Sequence, residues 1–355
     1  MRILHTSDLH LESSLSRLPS GKVRERKNEL FMTFLRMVAE AERLGVRLFI
    51  IAGDLFDGER LTKKATERVA DAIERAQNID FLYLPGNHER LSFIERIGVI
   101  PKNLYVFGED WTYFDYDGVV VAGRSECRAD MFESLKLDAE NKNIVVLHGG
   151  IKEYSGAEDG ISLPDAQNKG IDYIALGHYH SYGVSRVDNR AVAVYSGTPE
   201  GRGFDEAGDC GFVLVETDDY AISHRFCPFA KRTVRIVEAD ISTAQRPAEV
   251  EDAVAEALDK IPATDLVRVL LVGERSPELS IDLGVLSARY EERFYLFEMR
   301  DETRMRIDPE AYKYDKSLKG EFIRLVSARE DIAPALRERI IRCGLSAMIG
   351  EDPEV

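Results

Sequence analysis

The chain has 355 residues, 44% hydrophobic and 31% charged, which excludes collagen-like and wholly disordered readings. At roughly 150 residues per domain the length suits two domains, and nowhere is there the run of about 18–20 apolar residues that a membrane helix needs. The formal charge of −16 speaks against a general electrostatic nucleic-acid binder; bound divalent cations and a local basic strip could still supply the field that a nucleic-acid enzyme needs.

The N-terminus, Met1 to His10, turns polar too early for a secretory signal. Arg2–Leu4 reads as a short strand. Leu30, Phe31, Phe34, Leu35 and Val38 then recur at helical spacing within a stretch from Arg24 to Leu44, and Gly45 ends it. Val46–Ala52 is a continuous apolar run of the kind found in a strand buried on both faces. A second helix, about Thr62 to Gln77, starts at the N-cap candidate Thr62, and Phe81–Leu84 returns as strand. This β-α-β-α-β alternation predicts a parallel sheet covered by helices.

After Leu104 short strand-like runs follow: Tyr105–Phe107, Thr112–Tyr116, Val119–Ala122, Ile144–Leu147, Tyr173–Leu176, Ala191–Tyr195 and Gly211–Val215. Asp117-Gly118 and Asp188-Asn189 read as hairpin turns between them. We expect an α/β sandwich of two sheets flanked by helices. Pro228 and Lys231-Arg232 mark a crossing to a smaller α/β piece: strand Val234–Ala239, helix Ala248–Ile261, strand Leu266–Val272, helix Ile281–Glu292, strand Phe294–Met299. The charged remainder, from about Asp308, carries a helical pattern near Ala333–Arg342. Cys127, Cys210, Cys227 and Cys343 lie far apart. They read as reduced, mostly buried thiols of a cytoplasmic protein.

The chemistry gathers at the ends of these strands. Asp8-Leu9-His10 follows the first; in extended backbone its two polar side chains can face one way. Taken alone it could equally be a helix-capping aspartate beside a surface histidine. Gly53-Asp54-Leu55-Phe56-Asp57 follows the most apolar strand, where a stranded carboxylate is costly unless a cation or donors compensate it. Gly86-Asn87-His88-Glu89, Leu147-His148-Gly149-Gly150 and Gly177-His178-Tyr179-His180 follow three more. Of the 7 histidines, His10, His88, His148, His178 and His180 fall just past predicted strands, leaving His5 and His224 as structural residues. Imidazole with carboxylate and amide oxygen, and no thiolate, suits Mn²⁺, Fe or Zn²⁺. Two aspartates, one asparagine and four histidines, with one histidine spare, are too many for one ion. They fit a pair bridged by a carboxylate that clamps a phosphate, a dinuclear phosphoesterase.

In order and spacing these five motifs resemble the calcineurin-type metallophosphoesterases. Within that superfamily the chain is similar to the SbcD-type DNA-repair nucleases. Thr6-Ser7-Asp8-Leu9-His10-Leu11, Ala52-Gly53-Asp54-Leu55-Phe56-Asp57, and Ser196-Gly197-Thr198-Pro199 followed by Phe204-Asp205-Glu206 carry that nearer likeness. The resemblance implies a four-layer α/β/β/α sandwich over residues 1–230, a small α/β capping domain at 231–307 and a C-terminal helical segment at 308–355. It implies one metal held by Asp8, His10, Asp54 and His180 and a second by Asp54, Asn87, His148 and His178, with Asp54 bridging. The ions would be Mn²⁺ first, with Fe or Zn²⁺ as alternatives. His88 would sit beside the scissile phosphate and steady the transition state or protonate the leaving 3′ oxygen. Glu89, where the family usually has aspartate, would orient His88. Asp57, where some relatives carry histidine, would brace a metal-ligand histidine.

The implied activity is a Mn²⁺-dependent DNA exonuclease with single-strand endonuclease activity, acting in DNA repair. It would dimerise through helices of the core and join an SbcC-type coiled-coil ATPase through its C-terminal helices. Leu336, Ile340 and Ile341 form a stripe that could dock such a partner or pack on this chain itself. Arg17, Lys22, Arg24, Arg26 and Lys27, opposed nearby only by Glu25, could track a DNA backbone or simply solvate a helix end. Arg124, Arg128 and Arg202 are further candidates, and Tyr179 could stack a base or pack. Two rival functions stay open: hydrolysis of a small phosphodiester or phosphomonoester such as a nucleotide, and a DNA-binding scaffold with vestigial catalysis.

Overall fold

Leu48–Ala52 offers no side chain that tolerates a wet face, and it forms an interior strand. The structure, a computed structural model, describes residues 1–16, 18–58, 61–86, 92–128, 130–156, 160–218, 221–276, 278–306 and 312–349. The chain divides into two compact units, Met1–Val234 and Arg235–Val355.

In the first unit one sheet holds β1 (Arg2–Thr6), β2 (Leu48–Ala52), β3 (Asp80–Leu84) and β4 (Leu104–Val106), each parallel to the next. A second sheet contains β5 (Thr112–Tyr116), β6 (Val119–Gly123), β7 (Lys142–His148), β8 (Tyr173–Gly177), β9 (Gly183–Arg186) and β10 (Val192–Tyr195), in the order β5-β6-β7-β8-β10-β9. The central four are parallel and the edge strands antiparallel. β11 (Gly211–Thr217) and β12 (Ile222–Pro228) return to the first sheet beside β1 as an antiparallel pair.

Alternation along the strands builds the layers. Leu48, Ile50 and Ala52 point between the sheets, in one cluster with Ile3, Leu82, Ile144, Val146 and Tyr173. Phe49 points the other way, stacked on Phe81 at 4.9 Å and edge-on to Phe34 at 6.4 Å. Phe34 belongs to helix α1 (Ser20–Arg43), which covers that face with α2 (Lys63–Arg75). The Thr62 hydroxyl caps α2 by accepting from Ala65 N–H at 3.2 Å. Burying each large apolar side chain of this kind stabilises by about 1.5–3 kcal/mol. A short helix, α3 (Ser92–Arg96), buries Phe93 against Phe56 and Tyr83.

The outer face of the second sheet is covered differently. Among the described residues only α4 (Lys152–Ser155), α5 (Leu163–Ala166) and a 3₁₀ turn at Met131–Glu133 lie in the connections there, with Phe132, Leu163 and Ile171 closing the core. Those connections carry no long stretch of apolar residues at helical spacing, so the fourth layer is short helices and loops.

The second unit contains β13, which starts from the last residue of the first (Val234–Asp240), then β14 (Leu266–Val272), a two-residue strand β15 (Glu274–Arg275), β16 (Leu296–Asp301) and β17 (Arg304–Met305). The order β13-β14-β16 makes one sheet; β15 and β17 form a separate parallel pair. Helices α6 (Pro247–Leu258) and α7 (Leu283–Ala288) bury Val250, Val254, Leu258 and Leu286 in the core of this unit. α7 is shorter than the helix expected at Ile281–Glu292: it starts on the Asp282 cap and ends before the charged Glu291-Glu292-Arg293. Farther on, α8 (Leu318–Ser327) and α9 (Pro334–Ile349) close a small core of Met305, Ile323, Ile341 and Leu345. Ile341 is spent on that packing, and Leu336 stays half exposed. Of the cysteines only Cys210 is buried; the others are half-buried, a correction to the expectation of mostly buried thiols. Among the described residues no helix is long and apolar enough to cross a membrane.

Candidate metal centre

Beyond the ends of β1 and β2 the backbone keeps hydrogen bonding. Asp8 N–H donates to Gly53 O at 3.1 Å, His10 to Asp54 O at 3.0 Å and Leu11 to Leu55 O at 3.0 Å, so the two loops run on as a ladder. To turn their side chains inward, Asp8 (φ 52°), His10 (φ 44°), Asp54 (φ 49°) and His178 (φ 112°) take left-handed backbone. Such conformations cost about 1–3 kcal/mol each and gather at functional sites. Two glycines permit the close approach. A Cβ on Gly53 would lie 2.0 Å from His148 Nδ1, and one on Gly86 would lie 2.0 Å from Asp54 Oδ1.

Two groups of three donors result, Asp8/His10/His180 and Asp8/Asp54/His148, each within 4.8 Å and each able to hold a metal ion. Asp54 Oδ2 lies between two imidazoles, 3.7 Å from His10 Nε2 and 3.4 Å from His148 Nε2. Asp8 Oδ1 is 3.9 Å from both His10 Nε2 and His180 Nε2, which approach each other to 3.2 Å. Asp8 is held from behind by the Ser7 hydroxyl at 2.5 Å and by the His178 backbone N–H at 3.0 and 3.1 Å. The Ser7 hydroxyl in turn meets that of Ser196 at 2.8 Å. The His178 imidazole lies edge-on to His148, ring centres 5.6 Å apart, and is in neither three-donor group.

Asp8 is wholly buried and Asp54 is 2% exposed, so both carboxylates need compensating charge. Burial pushes the His148 imidazole down, but the Asp54 and Asp8 carboxylates outweigh it and hold it up at about 9. Hydrogen bonding to Glu206 likewise raises His180. Protons are thus drawn to the places a cation would take. His148 Nε2 is buried without a well-aligned hydrogen bond, despite lying 3.4 Å from Asp54. A buried imidazole nitrogen facing carboxylates fits a divalent ion, and each of the two donor groups is a candidate to hold one.

Of the other predicted positions, Asp57 lies with Oδ1 3.6 Å from His10 Nδ1. His10 holds its carboxyl down at about 2. Asn87, His88, Glu89 and Arg17 lie outside the described residues. Two candidate DNA contacts are corrected. Arg26 is wholly buried, bonded to Glu29 at 2.9 Å and Glu200 at 2.8 Å. Arg124 is 4% exposed and donates to Glu126 O at 2.6 Å. Neither can reach a phosphate backbone. Arg202 is tied to Glu206 by Nε at 2.9 Å and Nη2 at 2.6 Å, and Arg128 pairs with Glu126. Arg24 is exposed, while Lys22 and Lys27 are half-buried, Lys27 reaching Glu12 O at 3.3 Å. Tyr179, 36% exposed, packs edge-on to Tyr195 at 4.8 Å. His5 is buried against the Tyr173 hydroxyl at 2.9 Å, and His224 lies near the same ring. Glu206 and Ser7, which touch His180 and Asp8, stand in stretches that carry the nearer family likeness, but neither has a predicted role.

Sheets, strand-end donors and paired groups of ligands define a metal-dependent phosphoesterase. The family described as calcineurin-like phosphoesterase matches residues 1–182, and this chain belongs to it. The chain is 28% identical over 268 residues to the uncharacterized metallophosphoesterase YhaO of Bacillus subtilis (strain 168), covering 69% of this chain and 65% of that protein. It is 26% identical over 291 residues to the DNA double-strand break repair protein Mre11 of Methanosarcina acetivorans, covering 74% of this chain and 44% of that one. It therefore spans less than two thirds of either relative. TT1561 of Thermus thermophilus, a solved structure, matches at TM-score 0.43 and 13% identity, over 63% of this chain and 98% of that one.

Proposed function

We propose that the protein is a Mn²⁺-dependent DNA phosphodiesterase, an exonuclease with single-strand endonuclease activity that works in DNA repair. The observation that carries the reading is the convergence of Asp8, His10, Asp54, His148 and His180 from separate strand ends, with Asp54 between two imidazoles. Likeness to the DNA double-strand break repair protein Mre11 supplies the substrate class. Asp8, His10, Asp54 and His180 would hold one ion, and Asp54, Asn87, His148 and His178 the other. Such ions, when bound, polarise a phosphoryl oxygen and lower the pKa of a water toward about 7.

The chain's own residues do the rest. Ser7 and the His178 N–H keep Asp8 facing inward. The Ala52 carbonyl accepts from His148 Nδ1 at 2.9 Å and so leaves Nε2 free to coordinate. His88 is assigned the proton for the leaving 3′ oxygen, oriented by Glu89. Arg24, with Lys22 and Lys27, remains the basic strip proposed for the DNA backbone. The partners proposed are DNA, a second copy and an SbcC-type coiled-coil ATPase, in the cytoplasm. The second unit is proposed as a capping domain.

A small phosphoester is the second reading, favoured by the internal positions of Arg26 and Arg124, which thin the basic surface. Labelled single- and double-stranded DNA and a nucleotide ester, each incubated with Mn²⁺, decide between them. Wild type is expected to digest DNA, Asp54→Ala to be inactive, and His88→Ala to be slowed about 10²–10⁴-fold. Equal digestion by all three removes the nuclease, and ester turnover without digestion selects the second reading.

A further inference from the structure

His10, His148 and His180 each turn Nε2 toward Asp8 or Asp54, and each has an oxygen facing Nδ1 on the far side of the ring. For His148 it is the Ala52 carbonyl at 2.9 Å, for His10 it is Asp57 at 3.6 Å, and for His180 it is Glu206 Oε1 at 2.8 Å. His180 needs its partner most. It stands three residues past the end of β8, with its side chain 30% exposed, whereas those of His10 and His148 are almost wholly buried.

Glu206 is built for that task. Its side chain is 2% exposed and faces the far nitrogen of the ring, away from the ligand edge. Arg202 grips it with the backbone N–H at 2.6 Å, Nε at 2.9 Å and Nη2 at 2.6 Å. An ionised carboxylate only accepts, so it favours a proton on His180 Nδ1 and a lone pair on Nε2. Arg202 Nη2 also lies 3.3 Å from His180 Nδ1, and its charge steadies Glu206 as an anion.

We propose that Glu206, gripped by Arg202, is the positioning residue for His180 and that uptake of the Asp8/His10/His180 ion depends on this pair. The inference rests on the metal centre proposed above and adds a residue to which no role attaches so far. It also takes Arg202 out of the DNA contacts.

The test is Mn²⁺ uptake by the full chain, measured by calorimetric titration and by the electron paramagnetic resonance of bound Mn²⁺. Wild type is expected to bind two ions. Glu206→Ala should keep one at unchanged affinity and weaken the other about 10–100-fold, the range for losing a carboxylate behind a ligand histidine. Glu206→Gln, whose amide oxygen can still accept from Nδ1, should lose less. Arg202→Met should weaken the same ion. Melting of the metal-free proteins checks folding, and selective loss of one ion separates positioning from a general structural role. Two ions bound at wild-type affinity by Glu206→Ala overturn the inference while the metal centre stands. If that variant does not fold, wild-type binding by both Glu206→Gln and Arg202→Met overturns it equally. An Arg202→Met that alters only the salt dependence of DNA binding also overturns it. Failure of wild type to bind two ions removes the metal centre, and this inference with it.

Discussion

Gly86 stands so close to Asp54 that a single methyl group there has nowhere to go. Gly86→Ala must push the carboxylate from between its two imidazoles or move the loop, at about 1–3 kcal/mol for overpacking. We expect lower thermal stability together with loss of Mn²⁺ uptake, both read on one preparation. At this scale the sequence was informative where chemistry and position coincide. Asp54, His148 and His180 stand just past strongly apolar runs, and Asp8 and His10 just past a short run ending in polar residues, so strand-end position was the signal that grouped them. Arg26 could not be placed by charge alone. Its i, i+4, i+8 spacing with Leu30 and Phe34 was the available signal that it points inward. Glu206 stands in a stretch of the nearer likeness, but nothing tied it to His180, which is 26 residues away in sequence and meets it only after folding.

At the scale of elements, α1 is tied to the rest of its unit by buried charge. Glu29, 3% exposed, accepts from Lys231 Nζ at 2.6 Å, from Arg232 Nη2 at 2.8 Å and from Arg26 Nη1 at 2.9 Å. Burial pushes the Glu29 carboxyl up, but Arg232, Lys231 and Arg26 outweigh it and hold it down at about 2. A lowered carboxylate pKa contributes stability that is present above about 4.5 and lost as pH falls through about 2. Glu29→Gln, which strands buried arginine, should cost about 3–5 kcal/mol at neutral pH. Its stability should converge on that of wild type in acid, measured by denaturant unfolding between about pH 6 and about 2. Interior strands were legible to within a residue or two because both faces are apolar. The edge strands β9 and β12 were not, since each alternates half-buried and exposed residues and carries too few apolar ones to stand out. The α8 helix was missed although Ser317 caps it by accepting from Gly320 N–H at 3.2 Å.

For the whole molecule, the cores described for Met1–Val234 draw on residues of that unit alone. A chain ending at Val234 is therefore expected to melt cooperatively and to take up Mn²⁺ as the full chain does; a fragment that neither folds nor binds would contradict this. The backbone ladder joining the loops after β1 and β2 has a consequence for how such a protein diversifies. Amide and carbonyl groups, which no substitution removes short of proline, hold the loops in register, while the side chains hang from them like fittings in fixed sockets. An aspartate can be exchanged for another donor without the loop having to find a new path, so preference among ions can drift through point changes while the architecture is inherited intact.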